Sequence, residues 1–288
     1  MKWAIAVHGG AGDWNELVHD KARAGVSAAA AQGGMILAEG GGALDAVTAA
    51  VKVLEDDPLF NAGTGSVLNR DGEVEMDAAV MTGHDLGFGA VAAIRRVRNP
   101  VLVARRVMEN SGHALLVSQG AVRFARTQGF GDYDPVTAEA RLAFQRLQGD
   151  ARLGTVGAVA VDSAGRLAVA TSTGGTLMKL PGRVGDTPLP GAGTYATREA
   201  AVSATGKGEL TMRVLAAKSI CDLVAAGVSL QEAQSQVLES MQRTVGADAG
   251  FIGVGRDGSI GIRHGTRHMA TAWWTSEHDG IESSMVQT

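Results

Sequence analysis

A single cysteine, Cys221, stands in 288 residues, which excludes an intramolecular disulfide and a cysteine-built metal cluster. Asn-x-Ser/Thr sequons are absent, and the apolar start Met1 to Val7 is too short for a secretory signal. No stretch approaches the ~18 uninterrupted apolar residues of a membrane span. Charge of neither sign dominates: 26 Lys and Arg against 30 Asp and Glu give a formal net charge of −4. Broad attraction to nucleic acid or to a membrane surface is therefore not expected. These absences predict a soluble cytoplasmic protein whose partner is a small molecule.

What is present is apolar surface and glycine. Hydrophobic residues make up 45% of the chain and the mean hydropathy is +0.06, ample for a sizeable core. The 40 glycines are roughly twice the usual ~7% share. They are scattered among apolar segments, so they predict tight turns and close backbone approaches instead of a flexible linker. Length alone allows one large domain or two small ones.

Along the chain, Lys2 to Val7 reads as a short strand ending in the turn His8-Gly9-Gly10-Ala11-Gly12. Val18 to Ala38 reads as a helix broken at Gly33-Gly34. Leu44, Val47, Val51 and Leu54 recur at helical spacing. Arg70-Asp71-Gly72 between Ser66-Val67-Leu68 and Val74-Glu75-Met76 suggests a β-hairpin. Asn99-Pro100 opens a helix to about Glu109. Residues 131 to 153 read as a polar surface connection, after which Thr155 to Val161 is a buried strand turning through Asp162-Ser163-Ala164-Gly165 into Leu167 to Thr171. Residues 181 to 208 read as a long loop, Glu209 to Ala226 as a helix, and Ser229-Leu230-Gln231-Glu232 as the capping box of another. Gly250 to Val254 and Ser259 to Ile262 flank Arg256-Asp257-Gly258 as a further hairpin. Two facing sheets covered by helices satisfy this α+β pattern, and so does a single mixed sheet.

Several short motifs fail in context. Gly253-Val254-Gly255-Arg256-Asp257-Gly258 has dinucleotide-loop spacing but is followed by strand-like text where a helix is required. His8-Gly9-Gly10 resembles an esterase oxyanion loop without any G-x-S-x-G elbow to serve it. Gly206-Lys207-Gly208 lacks the upstream glycine and the Ser/Thr of a phosphate loop. His264 and His268 have the spacing of helical zinc ligands, yet Gly261 and Gly265 make a helix there improbable.

Three threonine clusters remain: Gly154-Thr155, Thr171-Ser172-Thr173-Gly174-Gly175, and Thr205-Gly206-Lys207-Gly208-Glu209. A threonine hydroxyl needs a base beside it, and one economical base is the residue's own α-amine, freed by cutting the preceding peptide bond. With a reference pKa of about 7.7–8.0, such an amine is partly neutral near physiological pH. A polar segment running through Gly154 into a buried strand at Thr155 is suited to that cut. Thr205 and the Gly206 N–H can serve a developing oxyanion. Arg183 and Asp186 can hold the carboxylate and ammonium of a small zwitterion.

The chain resembles the plant-type L-asparaginases, also called isoaspartyl aminopeptidases. The likeness is carried by His8-Gly9-Gly10-Ala11-Gly12, Pro58-Leu59-Phe60-Asn61-Ala62-Gly63, Asn99-Pro100-Val101, Gly154 to Ala160 and Ala170 to Gly175. It is densest in Lys179-Leu180-Pro181-Gly182-Arg183-Val184-Gly185-Asp186, Gly191 to Ala196, and Thr205-Gly206-x-Gly208-Glu209. The resemblance implies a four-layer αββα sandwich of the N-terminal-nucleophile hydrolase type, a single domain over 1–288 cut into 1–154 and 155–288, and an (αβ)2 assembly. It implies hydrolysis of L-asparagine and β-aspartyl dipeptides with no cofactor in the chemistry. Thr155 would be nucleophile and new N-terminus, Thr173 its activating neighbour, Thr205 and Gly206 the oxyanion hole, and Asn61 a contact of the nucleophile region. Arg183, Asp186 and Gly208 would hold the substrate's α-groups. A structural sodium ion would be bound largely by backbone carbonyls, falling here on Leu54, Glu55, Asp57, Phe60, Ala62 and Thr64. Thr64 stands where the family commonly has a larger apolar residue, and Lys207 sets a cation beside the oxyanion residues.

Glycosylasparaginase shares this chemistry, but the missing signal, sequons and paired cysteines argue against a secretory-route enzyme. A catalytically silent binding protein would have no need to retain Thr155, Thr173, Arg183, Asp186, Thr205 and Gly206 together.

Overall fold

A computed structural model describes residues 2–146 and 154–286 of the chain. The end of the connection expected over 131 to 153 thus lies outside the described residues. Among those described, the first strands are β1 (Ala4–Gly12), β2 (Met76–Thr82), β3 (Phe88–Ile94), β4 (Leu115–Val117), β5 (Val156–Val161) and β6 (Leu167–Thr173). They are followed by β7 (Thr194–Ala196), β8 (Ala200–Gly206), β9 (Ala249–Gly255), β10 (Ile260–His264), β11 (His268–Thr275) and β12 (Glu282–Ser284). One sheet has eight strands in the order β12-β11-β1-β5-β6-β2-β3-β4, and a second has four in the order β10-β9-β8-β7. Strand pairs are antiparallel except β3 with β4.

Strand alternation decides what each face touches. Val156, Ala158 and Ala160 of β5 join a core with the helices α1 (His19–Ala38), α2 (Ala43–Asp56) and α3 (Pro100–Asn110). Val159 and Val161 instead meet Ile252 and Val254 of the smaller sheet. That sheet's other face packs Val202, Ala204 and Phe251 against residues of two later helices. The helices after α3 are α4 (Ser118–Thr127), α5 (Ala138–Arg146), the single turn α6 (Gly208–Thr211), α7 (Ala216–Ala225) and α8 (Leu230–Val245). The two facing sheets therefore bury one core between them and one on each outer side, in a mixed α+β fold.

Several expectations hold locally. The α2 stripe, the Asn99-Pro100 helix start, the β5–β6 and β9–β10 hairpins and the Ser229 cap are all present, with Ser229 Oγ accepting from the Glu232 N–H. The segment with dinucleotide-loop spacing is the β9–β10 turn, closed by a Gly255 N–H to Ser259 carbonyl bond. His264 and His268 lie on successive strands.

Other expectations are corrected. β1 does not stop at Val7 but runs through the glycines to Gly12, absorbing them in a register shift against β11 between His8 and Ala11. α1 is unbroken at Gly33-Gly34, where the glycines permit contact: a Cβ on Gly33 would lie 2.3 Å from Ile5 Cδ1, and one on Gly34 2.3 Å from the Trp274 ring. The turn at Arg70-Asp71-Gly72 exists without a hairpin. Asn69 Oδ1 accepts the Asp71 and Glu73 N–H groups, doing locally what a partner strand would do. The 181–208 loop ends near Gly193, and its last part forms β7 and β8. The helix expected from Glu209 is split at Leu215, whose φ is +47°, because the Ala217 and Lys218 N–H groups bond to the Ala192 and Gly191 carbonyls.

Candidate active site

β5 begins immediately after the Gly154-Thr155 bond, in the middle of the larger sheet. Gly154 has φ +108° and lies against the first strand, so a Cβ there would come 2.4 Å from Gly10 Cα. No side chain can take that position without moving backbone. Thr155 is buried and lines a cavity of about 1250 Å³, together with Gly154, Asn61, Thr173, Arg183, Asp186, Gly206 and Gly208. Residues separated by much of the chain thus line one cavity.

Thr173 ends β6, the antiparallel neighbour of β5, and its hydroxyl accepts the Gly175 N–H at 2.9 Å. Asn61 braces the turn that follows. Its Nδ2 donates to the Gly175 carbonyl at 2.7 Å, its carbonyl accepts the Gly174 N–H at 2.8 Å, and its Oδ1 accepts the Val67 N–H at 3.0 Å. Asn61 therefore fixes the position of Thr173 while also facing the cavity. Thr205 is fully buried at the end of β8, one residue below the cavity-lining Gly206. Its Oγ1 accepts the Ala11 N–H at 3.3 Å, which leaves its own proton to donate elsewhere.

Arg183, Asp186 and Gly208 converge at the other side. A Cβ on Gly208 would lie 2.8 Å from Asp186 Oδ1 and 3.1 Å from Arg183 Nη2, so glycine there leaves the charged groups room to face the cavity. Arg183 Nε donates to Glu209 Oε1 at 2.7 Å, so its partner is Glu209 and its Nη atoms remain. Asp186 Oδ2 is buried with no hydrogen-bond partner among the described residues. Burial pushes the Asp186 carboxyl up to about 7, against the opposing pull of its own N–H and of Arg183.

Beneath these groups lies a buried charged layer that reading by motif missed. Asp77 on β2 accepts the Ala93 N–H at 2.8 Å and the Gly185 N–H at 2.9 Å, pinning the backbone between Arg183 and Asp186; burial holds its carboxyl above the usual range. Glu75 accepts the Gly182 N–H at 2.9 Å and pairs with Arg95. Lys179 Nζ donates to the Glu75 carbonyl at 2.7 Å, and burial pulls its ammonium below the ordinary lysine range. The available signal was the alternation Glu75-Met76-Asp77, two acids entering an otherwise apolar strand. Between the sheets, His8 Nε2 and Ser203 Oγ are 2.8 Å apart, and Ser203 Oγ is 3.0 Å from Thr171 Oγ1. Burial drags the His8 imidazole down to about 3, so it stays neutral beside β5.

The loop after α2 closes on itself through a Thr64 N–H to Glu55 carbonyl bond of 2.8 Å and a Phe60 N–H to Asp57 carbonyl bond of 3.1 Å. Glu55 Oε1 accepts the Val101 N–H at 2.9 Å, and burial pushes its carboxyl up to about 8. No group of three or more His, Cys, Asp or Glu suited to a metal occurs among the described residues. Nor is any described helix long and apolar enough to cross a membrane.

Known proteins share this arrangement of sequence. A family profile described as Asparaginase matches residues 1–282. The plant-type L-asparaginase of Pyrococcus abyssi is 46% identical over 293 residues, covering 94% of this chain and 95% of that protein. The isoaspartyl peptidase/L-asparaginase of Bos taurus is 45% identical, covering 97% and 94% respectively. The isoaspartyl peptidase of Escherichia coli is 42% identical, covering 94% and 92%. With a match over residues 1–282 and with Thr155, Thr173, Arg183 and Asp186 lining one cavity, the chain belongs to the Asparaginase family.

Proposed function

We propose that this chain cuts itself before Thr155 and then hydrolyses the side-chain amide of L-asparagine and the isopeptide bond of β-aspartyl dipeptides. The observation that carries the reading is the convergence of Thr155, Thr173, Gly206, Arg183 and Asp186 on one cavity, with a left-handed Gly154 just before the threonine. Fold and chemistry agree: two facing sheets with helices outside fit the four-layer αββα sandwich of N-terminal-nucleophile hydrolases, treated as a single domain over 1–288.

In the first reaction Thr155 Oγ attacks the Gly154 carbonyl carbon. The acyl group passes from nitrogen to oxygen, which frees the Thr155 α-amine, and water opens the resulting ester to give the Gly154 carboxylate and restore the Thr155 hydroxyl. In the second, that amine takes the Oγ proton as Oγ attacks the substrate's β-carbonyl. The Gly206 N–H and the Thr205 hydroxyl donate to the oxyanion, and Thr173 orients the nucleophile. Collapse expels ammonia, or the amine of the second residue, with the proton returned by the α-amine. Water then hydrolyses the aspartyl ester and releases L-aspartate. Arg183 and Asp186 hold the α-carboxylate and α-ammonium that both substrates share, which sets the β-carbonyl over Thr155 and leaves the leaving group free to vary.

The loop carrying Leu54, Glu55, Asp57, Phe60, Ala62 and Thr64 would hold a structural sodium ion largely through backbone carbonyls, oxygen donors of the kind that suit a hard cation. That ion would brace the loop that carries Asn61 and takes no part in the chemistry. An (αβ)2 assembly completes the reading.

Intact mass of the purified protein, with an ammonia-release assay on asparagine, tests the proposal. Fragments 1–154 and 155–288 and release of ammonia are expected, whereas Thr155→Ala should stay full length and inert. An active enzyme that remains a single chain would overturn the mechanism.

A further inference from the structure

Two cations approach one another at the turn after Thr173. Measured from the position a Cβ would take on Gly175, Lys179 Nζ lies at 2.9 Å and Arg183 Nη1 at 3.2 Å. Both residues line the cavity that holds Thr155. Arg183 is partly neutralised by Glu209. Lys179 is not paired in this way: its Nζ has one hydrogen bond, to the Glu75 carbonyl, and no carboxylate within ion-pair distance among the described residues. The acids nearby are committed elsewhere. Asp77 uses its oxygens on the N–H groups of Ala93 and Gly185, and Glu75 uses its own on Arg95, Asn69 and Gly182. An ammonium can donate three hydrogen bonds, so a buried one making a single protein bond is left with two unanswered donors. A buried charge without its counterion is costly, and the Arg183 guanidinium alongside raises that cost. An anion placed between the two heads relieves both.

We infer that Lys179 is a second cation of the head-group pocket and binds the substrate's α-carboxylate together with Arg183. The inference rests on the reading above that Arg183 receives this carboxylate. It explains why Arg183 can share its Nε with Glu209 and still hold a substrate anion. The competing account is that Lys179 only balances the charge of Asp77 and Glu75 beneath the loop.

L-aspartate and β-alanine separate the two accounts, because β-alanine is aspartate without its α-carboxylate. Their dissociation constants are measured by calorimetry on self-cleaved wild type, Lys179→Gln and Lys179→Arg. Wild type should bind aspartate more tightly than β-alanine. Lys179→Gln should weaken aspartate by about 10- to 100-fold, the usual worth of a hydrogen bond to a charged group, and shift β-alanine far less. Lys179→Arg should retain most of the aspartate preference. Equal weakening of both ligands, or of neither, would overturn the inference in favour of charge balance. Wild type without any preference for aspartate would instead remove the head-group reading itself. Should Lys179→Gln fail to fold or mature, the crystal structure of wild type with L-aspartate decides. An α-carboxylate oxygen within about 3.2 Å of Lys179 Nζ supports direct binding, and a separation too long for a hydrogen bond rules it out.

Discussion

At the scale of single residues, the cavity asks each group to be in one protonation state. Asp186 must be ionised to hold an ammonium, yet burial has pushed its carboxyl up to about 7. Below that pH the unliganded pocket presents a neutral acid, and raising the pH through it restores the anion. KM for asparagine should therefore fall as pH rises from about 5.5 to about 8, the charged form prevailing above the folded-state value. Asp186→Asn should raise KM and flatten this dependence. A wild-type KM with no slope across that range would show that Asp186 is not the ammonium contact. Thr205 is tested by rate. Its hydroxyl already accepts from Ala11, so its remaining function toward the substrate is donation. In self-cleaved enzyme, Thr205→Val should lower kcat by about 10²–10³, the usual loss for one oxyanion donor. If kcat stays and KM alone rises, Thr205 is a ground-state contact.

At the scale of elements, what the sequence made legible follows from how locally each element is determined. The α2 stripe, the Ser229 cap and the β9–β10 hairpin announce themselves within a dozen residues. β2 does not: all seven of its residues are buried, and a strand covered on both faces carries no alternation to read. β11 is hidden similarly, with its first five residues buried. Gly33 and Gly34 misled because a helix-breaking residue can also be a contact surface, and only the positions of Ile5 and Trp274 decide between these. In the site, Thr155, Arg183 and Asp186 were legible by residue type and chemistry. Lys179 and Asp77 were not, since their roles depend on contacts reaching from β2 to the 179–186 loop.

The start of α3 illustrates a long-range dependence of the same kind. Asn99 precedes the helix, but its side chain makes no cap bond and donates to Asp56; Glu55 Oε1 receives the Val101 N–H instead. Because burial lifts the Glu55 carboxyl to about 8, the folded chain keeps a proton that the unfolded chain releases near 4.5. Stability owed to this group is thus complete at low pH and declines as pH climbs from about 4.5 towards 8. Glu55→Gln keeps an acceptor for Val101 and removes the titration. Its melting temperature relative to wild type should improve steadily between about pH 5 and pH 8. Glu55→Ala should cost about 1–3 kcal/mol at either pH by leaving the buried Val101 N–H unanswered. An unchanging difference between Glu55→Gln and wild type across this range would mean that the carboxyl ionises normally.

At the scale of the whole molecule, the proposed cut before Thr155 raises the question of what would hold the pieces together. The cut falls at the edge of β5, and β5 lies inside the larger sheet with β1 on one side and β6 on the other. Its register against β1 runs from Val161 opposite Ala4 to Gly157 opposite His8, so residues of 1–154 and 155–288 are laced by backbone hydrogen bonds. β11, from the second piece, flanks β1 on its other side, while β6 pairs with β2 of the first. The strands of the two pieces are therefore interleaved across the sheet. The core between the sheets mixes them as well, Ala4, Ala6 and Met81 packing with Val159, Val169 and Ile252. Separating the fragments would expose apolar surface on this scale and break several ladders at once, a cost comparable to unfolding the chain. The cleaved protein should therefore elute as one species on native size exclusion, contain 1–154 and 155–288 in equal amounts, and resolve into two bands only under denaturing conditions. Its denaturant unfolding should be a single transition by fluorescence and by circular dichroism, because the eight-stranded sheet is built from strands of both pieces and the four-stranded sheet packs against it. Dissociation of the fragments in native buffer, or separate melting of the two, would contradict this account of how the interleaved sheet survives the cut.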